Sequence, residues 1–136
     1  MNNFYNYLPV SKDDESWGIH VLNAGHNMID KNVDYPSPDH PAHHYFNWSK
    51  GRMLDEYQLI YITQGEGVFQ SASIKECIVK EGSVLLLFPG EWHRFRPHRH
   101  TGWNECWVGF KGDMIPAHPF LKRVWTCAIG FFAHLG

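Results

Sequence analysis

Positive charge is not in excess in this sequence: Lys and Arg total 12 against 14 Asp and Glu, a formal charge of -2. A surface that holds nucleic acid carries a cationic surplus to displace counterions from phosphates, so DNA contact by these residues is not expected. Cysteine is scarce too. Cys77, Cys106 and Cys127 lie far apart with no C-x-x-C pair, which argues against a disulfide framework and a thiolate zinc centre. No apolar run reaches the roughly 20 residues that span a bilayer. The most apolar stretch, VWTCAIGFFAHL (124–135), is well short of that. The N-terminus, MNNFYNYLPVSKDDES, lacks the basic start and apolar run of a secretory signal. These absences set the expectation of a cytoplasmic chain with no membrane contact.

What is present is material for a core. Hydrophobic residues make up 43% and aromatics 15% of 136 residues, enough for one compact domain. Three regions separate by texture. Residues 1–50 are rich in Asn, Asp, His and Pro and read as an N-terminal arm with irregular or edge strands; YPSPDHPAHH (35–44) is the clearest loop. Residues 51–112 alternate short β-branched or aromatic segments with turns. The segments are YQLIYIT (57–63), GVFQS (67–71), ECIVK (76–80), SVLLLF (83–88), HRFRP (93–97) and WNECWVGF (103–110). GEG at 65–67, EG at 81–82, PGE at 89–91 and TG at 101–102 divide them. Regular short strands with such punctuation predict an all-β antiparallel sandwich or barrel. Residues 113–136 form a tail in which HPFLKRVW could open a short helix.

Three ordered motifs carry a resemblance over about half the chain: GRMLDEYQLIYITQGEGVF (51–69), EGSVLLLFPGEWH (81–93) and GWNECWVGFKG (102–112). They resemble the N-terminal effector-binding domain of AraC-type transcription regulators. The resemblance implies a cupin-type jelly-roll barrel whose interior binds a small effector, often a sugar. In that family the chain continues into dimerising helices and two helix-turn-helix units, none of which is legible here. The expectation is therefore a fragment, a truncated product or an excised domain that would reach DNA only through a part not present. A homodimer is compatible with the aromatic C-terminal surface.

Many cupins hold a metal through H-x-H-x(3,4)-E and a last His after a P-x-G turn. His93, after Pro89-Gly90, fills the last position. Gln58 falls at the glutamate position, and Arg52 and Leu54 fall near the two histidines. Arg and Leu do not ligate metals and an amide is a poor partner for ions that imidazole suits. No metal or cofactor is expected, and no catalytic residue. His98-x-His100 and His43-His44 read first as solvated loop histidines.

The strongest chemical signal is 103–110. A strand period of two places Trp103, Glu105, Trp107 and Gly109 on one face, and Asn104, Cys106, Val108 and Phe110 on the other, an ordinary packing surface. A carboxylate between two indoles suits a sugar, whose C–H faces lie on rings and whose hydroxyls donate to the carboxylate. Arg52 complements it with a guanidinium fork. The plainer reading is an Arg52–Glu105 ion pair with two core indoles. Gln58, His93 and Phe95 join as candidate ligand-binding residues, with Trp48 a weaker one. Tyr57 and Tyr61 are expected on the opposite face, and Pro9 in an arm that covers the effector. The reading is a non-catalytic sensor of a small molecule, a saccharide by chemistry. The alternatives are a metal-dependent cupin enzyme (a sugar isomerase or dioxygenase) and a free-standing carbohydrate-binding cupin.

Overall fold

A computed structural model describes residues 3–35 and 47–115. The HPFLKRVW segment expected to open a helix, positions 36–44 of the expected loop and the His43-His44 pair lie outside the described residues. The elements run β1 (Phe4–Tyr7), α1 (Lys12–Ser16), β2 (His20–Ile29), β3 (Tyr57–Ser71), β4 (Cys77–Lys80), β5 (Val84–Leu87), β6 (His93–Pro97) and β7 (Trp103–Lys111). All pairings are antiparallel, in the order β1-β2-β7-β3-β4, with β5 and β6 also on β3. The architecture is the all-β jelly roll of the cupin type.

Two local differences from the sequence reading have physical causes. GEG at 65–67 does not end a strand: β3 runs unbroken for 15 residues and changes sheets there. Tyr57 to Gly65 pair with β7, and Gly67 to Ser71 pair with β6. The register on β7 slips between Ile62 and Gln64, an extra residue of the kind a β-bulge inserts. Because side chains alternate, that slip turns the inward set from Gln58, Ile60 and Ile62 to Gly67, Phe69 and Ser71. Gly65 lies at φ +86°, and a Cβ there would meet the Gly102 carbonyl and Trp103 Cα, so the corner closes only around glycine. The second difference is β2. It spans ten residues and has β1 on one side and β7 on the other, so it is an inner strand and not an edge.

The short α1 was not foreseen. Its signal is in SKDD: the Ser11 hydroxyl accepts from Asp14 N at 3.1 Å, and Asp14 Oδ2 accepts from Ser11 N at 2.8 Å. That is a capping box on a helix with no buried residue.

The core lies inside the barrel. It comprises Ile29, Leu54, Ile60, Ile62, Phe69, Val79, Leu85, Leu87, Phe95, Trp103 and Trp107. Tyr57 stacks on Phe110 at 5.5 Å outside this core, on the face expected for it, and Tyr61 is exposed. The second face of β7 is less a packing surface than anticipated: Cys106 is exposed and Asn104, Val108 and Phe110 are half-buried.

Candidate functional site

Four elements converge on a small cavity in the barrel. β7 supplies Glu105 and Trp107, β3 supplies Gln58 and Ile60, β6 supplies Phe95, and the segment before β3 supplies Arg52; Tyr35 closes the lining. Five of the seven residues expected at the site, Arg52, Gln58, Phe95, Glu105 and Trp107, therefore line one space. His93 and Trp103 stand directly behind it. His93 stacks on Phe95 with ring centroids 6.0 Å apart, and Trp103 contacts Phe95 at 6.1 Å.

Glu105 is the chemical centre and is 4% exposed. Asn27, its direct partner on β2, donates from Nδ2 to Oε1 at 3.1 Å. Tyr5 in turn donates its hydroxyl to Asn27 Oδ1 at 2.7 Å. The Tyr35 hydroxyl donates across the cavity to both carboxylate oxygens, at 3.2 and 3.4 Å. Burial pushes the Glu105 carboxyl above its usual range, while the Asn27 and Tyr35 hydrogen bonds and the Arg52 charge pull it back. Burial, then the neighbouring Glu105 carboxylate, pushes the Tyr35 phenol well above its usual range.

Arg52 anchors the opposite wall. Its Nε donates to His93 Nε2 at 2.9 Å and one terminal nitrogen donates to Gln58 Oε1 at 3.2 Å, while the guanidinium lies 5.3 Å over the Phe95 ring. Arg52 and His93 also form an isolated backbone bridge. Because Nε2 accepts, the His93 proton sits on Nδ1, which reaches the Glu91 carbonyl at 3.2 Å. Burial, and next the Arg52 charge, drop the His93 pKa to about 3, so the ring is neutral at physiological pH. The three residues at the metal-ligand positions do not fit a metal: one is this guanidinium, one is buried Leu54, and Gln58 accepts from Arg52. The ring nitrogen of His93 that would face an ion is committed to the same arginine.

Two weaker candidates lie elsewhere. Trp48 meets two guanidinium groups on the outer side of β6, that of Arg94 4.4 Å and that of Arg96 3.9 Å from its ring, and does not line the cavity. Pro9 lines a surface depression with Leu8, Trp17 and Ile19 instead.

Residues 33–118 match the family described as the AraC-like ligand binding domain. The chain belongs to that family. No curated protein matches the sequence. Among solved structures, protein YhaK from Escherichia coli is similar over 86% of this chain and 48% of its own, with 10% identity and a TM-score of 0.57. The chain thus spans about half of YhaK, and at that identity the likeness concerns the fold. A Thermotoga maritima protein described as a predicted oxalate decarboxylase aligns over 79% of this chain and 78% of its own, at 18% identity and a TM-score of 0.43. Neisseria meningitidis protein NMB1881 aligns over 68% and 82%, at 10% identity and 0.42.

Within this AraC-like domain the sequence reading missed Tyr35, Asn27 and Tyr5. Tyr35 opens a proline-rich loop whose composition says only that it is irregular. Asn27 could have been found from the alternation of β2, which places Asn23, Asn27 and Ile29 inward. A second polar pair was missed as well: Asn23 Nδ2 donates to buried Glu56 Oε2 at 2.8 Å, in space left open by Gly109.

Proposed function

We propose that the barrel interior is the effector site of a ligand-responsive transcription regulator, and that the effector is a polyhydroxylated small molecule of the saccharide class. The observation that carries this is the buried Glu105 carboxylate, flanked by Trp107 and Phe95, with its open side satisfied by a tyrosine hydroxyl. A hydroxyl of the protein occupies the position an effector hydroxyl would take. The free volume left inside is about 10 Å³, room for about one water. Ligand pockets measure roughly 300–1,000 Å³, so an effector enters by moving Tyr35 aside. Arg52 and Gln58 offer donors on the far wall, and rings of Phe95 and Trp107 meet the C–H faces. Exchange of Tyr35 for effector makes two states of one domain, which attached DNA-binding units would read as a shift in population. The non-catalytic reading is supported by His93, whose Nε2 lone pair is held by Arg52 and is not offered to a substrate proton.

The test is a panel of pentoses, hexoses and oligosaccharides scored by tryptophan fluorescence and thermal shift. A matching saccharide is expected to bind with a dissociation constant from micromolar to millimolar, about 4–8 kcal/mol. Glu105→Gln keeps the shape and should weaken binding by about 1–3 kcal/mol. Tyr35→Phe removes only the competing hydroxyl and should tighten binding about twofold to tenfold, the worth of one net hydrogen bond. No response across the panel would sink the saccharide assignment. A Tyr35→Phe variant that binds more weakly would make Tyr35 an effector contact and not its stand-in.

A further inference from the structure

On the outside of the barrel, where β3 passes from one sheet to the other, three side chains of metal-ligand type converge. Glu66 sits in β3 between the two corner glycines, and residues 98–102 form the turn from β6 to β7. His98 Nδ1 lies 3.3 Å from Glu66 Oε1, and His100 Nε2 lies 3.7 Å from the same oxygen. The three ligand atoms all fall within 4.8 Å of one another, the one such convergence of His, Cys, Asp and Glu among the described residues. The two imidazoles stack at 5.3 Å with their planes 20° apart. Donors bound to one ion at about 2.0–2.1 Å stand roughly 2.8–3.4 Å apart in octahedral or tetrahedral geometry. The His98–Glu66 spacing of 3.3 Å falls in that range, and small rotations of the exposed His100 would bring in its nitrogen from 3.7 Å. Side chains of His98 and Glu66 are 27% and 33% exposed, while His100 is 74% exposed, which leaves the outer side for water.

The backbone already holds this frame. His98 N donates to the Glu66 carbonyl at 2.9 Å, and the Thr101 hydroxyl donates to it at 3.2 Å. Two imidazoles and one carboxylate, with open positions, suit borderline ions such as Zn2+ rather than Mg2+ or Ca2+, which take all-oxygen sets.

We propose that Glu66, His98 and His100 form a divalent-metal site of the Zn2+ class that braces the barrel corner. It is separate from the interior cavity and does not depend on what the cavity binds. The ion joins β3, at the residue where it leaves β7, to the turn that carries the chain from β6 to β7. Two of the connections between the sheets then share one cross-link.

Zn2+ titrated into tag-free protein, followed by competition with a chromogenic chelator, tests the assignment. One equivalent per chain is expected in the wild type and in His26→Ala, a control for surface histidines. His98→Ala and His100→Ala should each lower the affinity about tenfold or more. Glu66→Gln, which keeps the side-chain shape, should lower it as well, with the far-ultraviolet circular dichroism of every variant unchanged. Zn2+ should raise the melting temperature of the wild type and not that of the double variant. Wild-type binding absent up to millimolar Zn2+ would overturn the proposal, as would unchanged affinity in the His98→Ala, His100→Ala double variant.

Discussion

Between pH 7 and pH 4 the folded protein is expected to lose about 3 kcal/mol of stability through His93 alone. The ring is 1% exposed and its pKa falls from 6.5 to about 3, with burial the first cause and the Arg52 charge the second. Below pH 6.5 the unfolded chain takes up a proton on this histidine that the folded chain refuses. Stability therefore declines as pH falls from 6.5, at about 1.4 kcal/mol per unit, and the decline ends near pH 3, where both states are protonated. Glu105 works in the opposite sense. Its folded pKa is raised, so its contribution is present in acid and is lost as pH rises through 4.5 towards the folded value. Urea unfolding at pH 7, 5.5 and 4 should show a steep wild-type dependence that His93→Gln flattens. Identical dependence in the two proteins would mean that His93 takes up its proton as readily in the fold as in the unfolded chain, and that its Nε2 does not accept from Arg52. Effector affinity should not fall through His93 over the same range, because the folded ring stays neutral until the pH approaches 3 and Nε2 keeps accepting from Arg52.

Truncating Trp107 to alanine is expected to cost about 3–5 kcal/mol, a fall of very roughly 10–20 °C in melting temperature. The indole is 9% exposed, lies over Gly25 where a Cβ would collide with it, and packs on Tyr5 at 5.5 Å. It faces Ile60 on one neighbouring strand and Gly25 on the other. The same ring lines the cavity, so Trp107→Ala changes stability and binding together and cannot report on either alone. Trp107→Phe keeps an aromatic face and should retain most of the stability. Its saccharide affinity, compared with that of Glu105→Gln, separates stacking from hydrogen bonding. A loss below about 1 kcal/mol in Trp107→Ala would show that the ring is not part of the packed interior.

Arg52 in place of an imidazole does more than remove a donor. It supplies a buried positive charge that opposes Glu105, holds Gln58, and fixes the tautomer of His93. A cation there would add charge to charge. The cavity sets an acidic side chain, Glu105, opposite a cationic one, Arg52, the arrangement on which the proposed polyhydroxylated effector rests.

Which side chains of 103–110 share the cavity face was legible in the amino-acid sequence, because strand alternation is a consequence of local covalent geometry. Trp103, Glu105 and Trp107 must share a face once 103–110 is extended, and Cys106 must take the other. The residue types at the ligand positions, Arg52, Leu54 and Gln58, could likewise be read directly. Where alternation was interrupted, sequence reading failed. The bulge near Thr63 reverses the parity of β3, and GEG reads as a turn although it is a bend in one continuous strand. What only the tertiary structure decided are the contacts across long stretches of chain. Tyr35 reaches Glu105 from 70 residues away, Asn27 from 78, Arg52 meets His93 across 41, and Glu66 meets His98 across 32. Such partners are chosen by how strands return and in what register they pair. No local period carries that information, so the carboxylate was visible in the sequence while the groups that hold it were not.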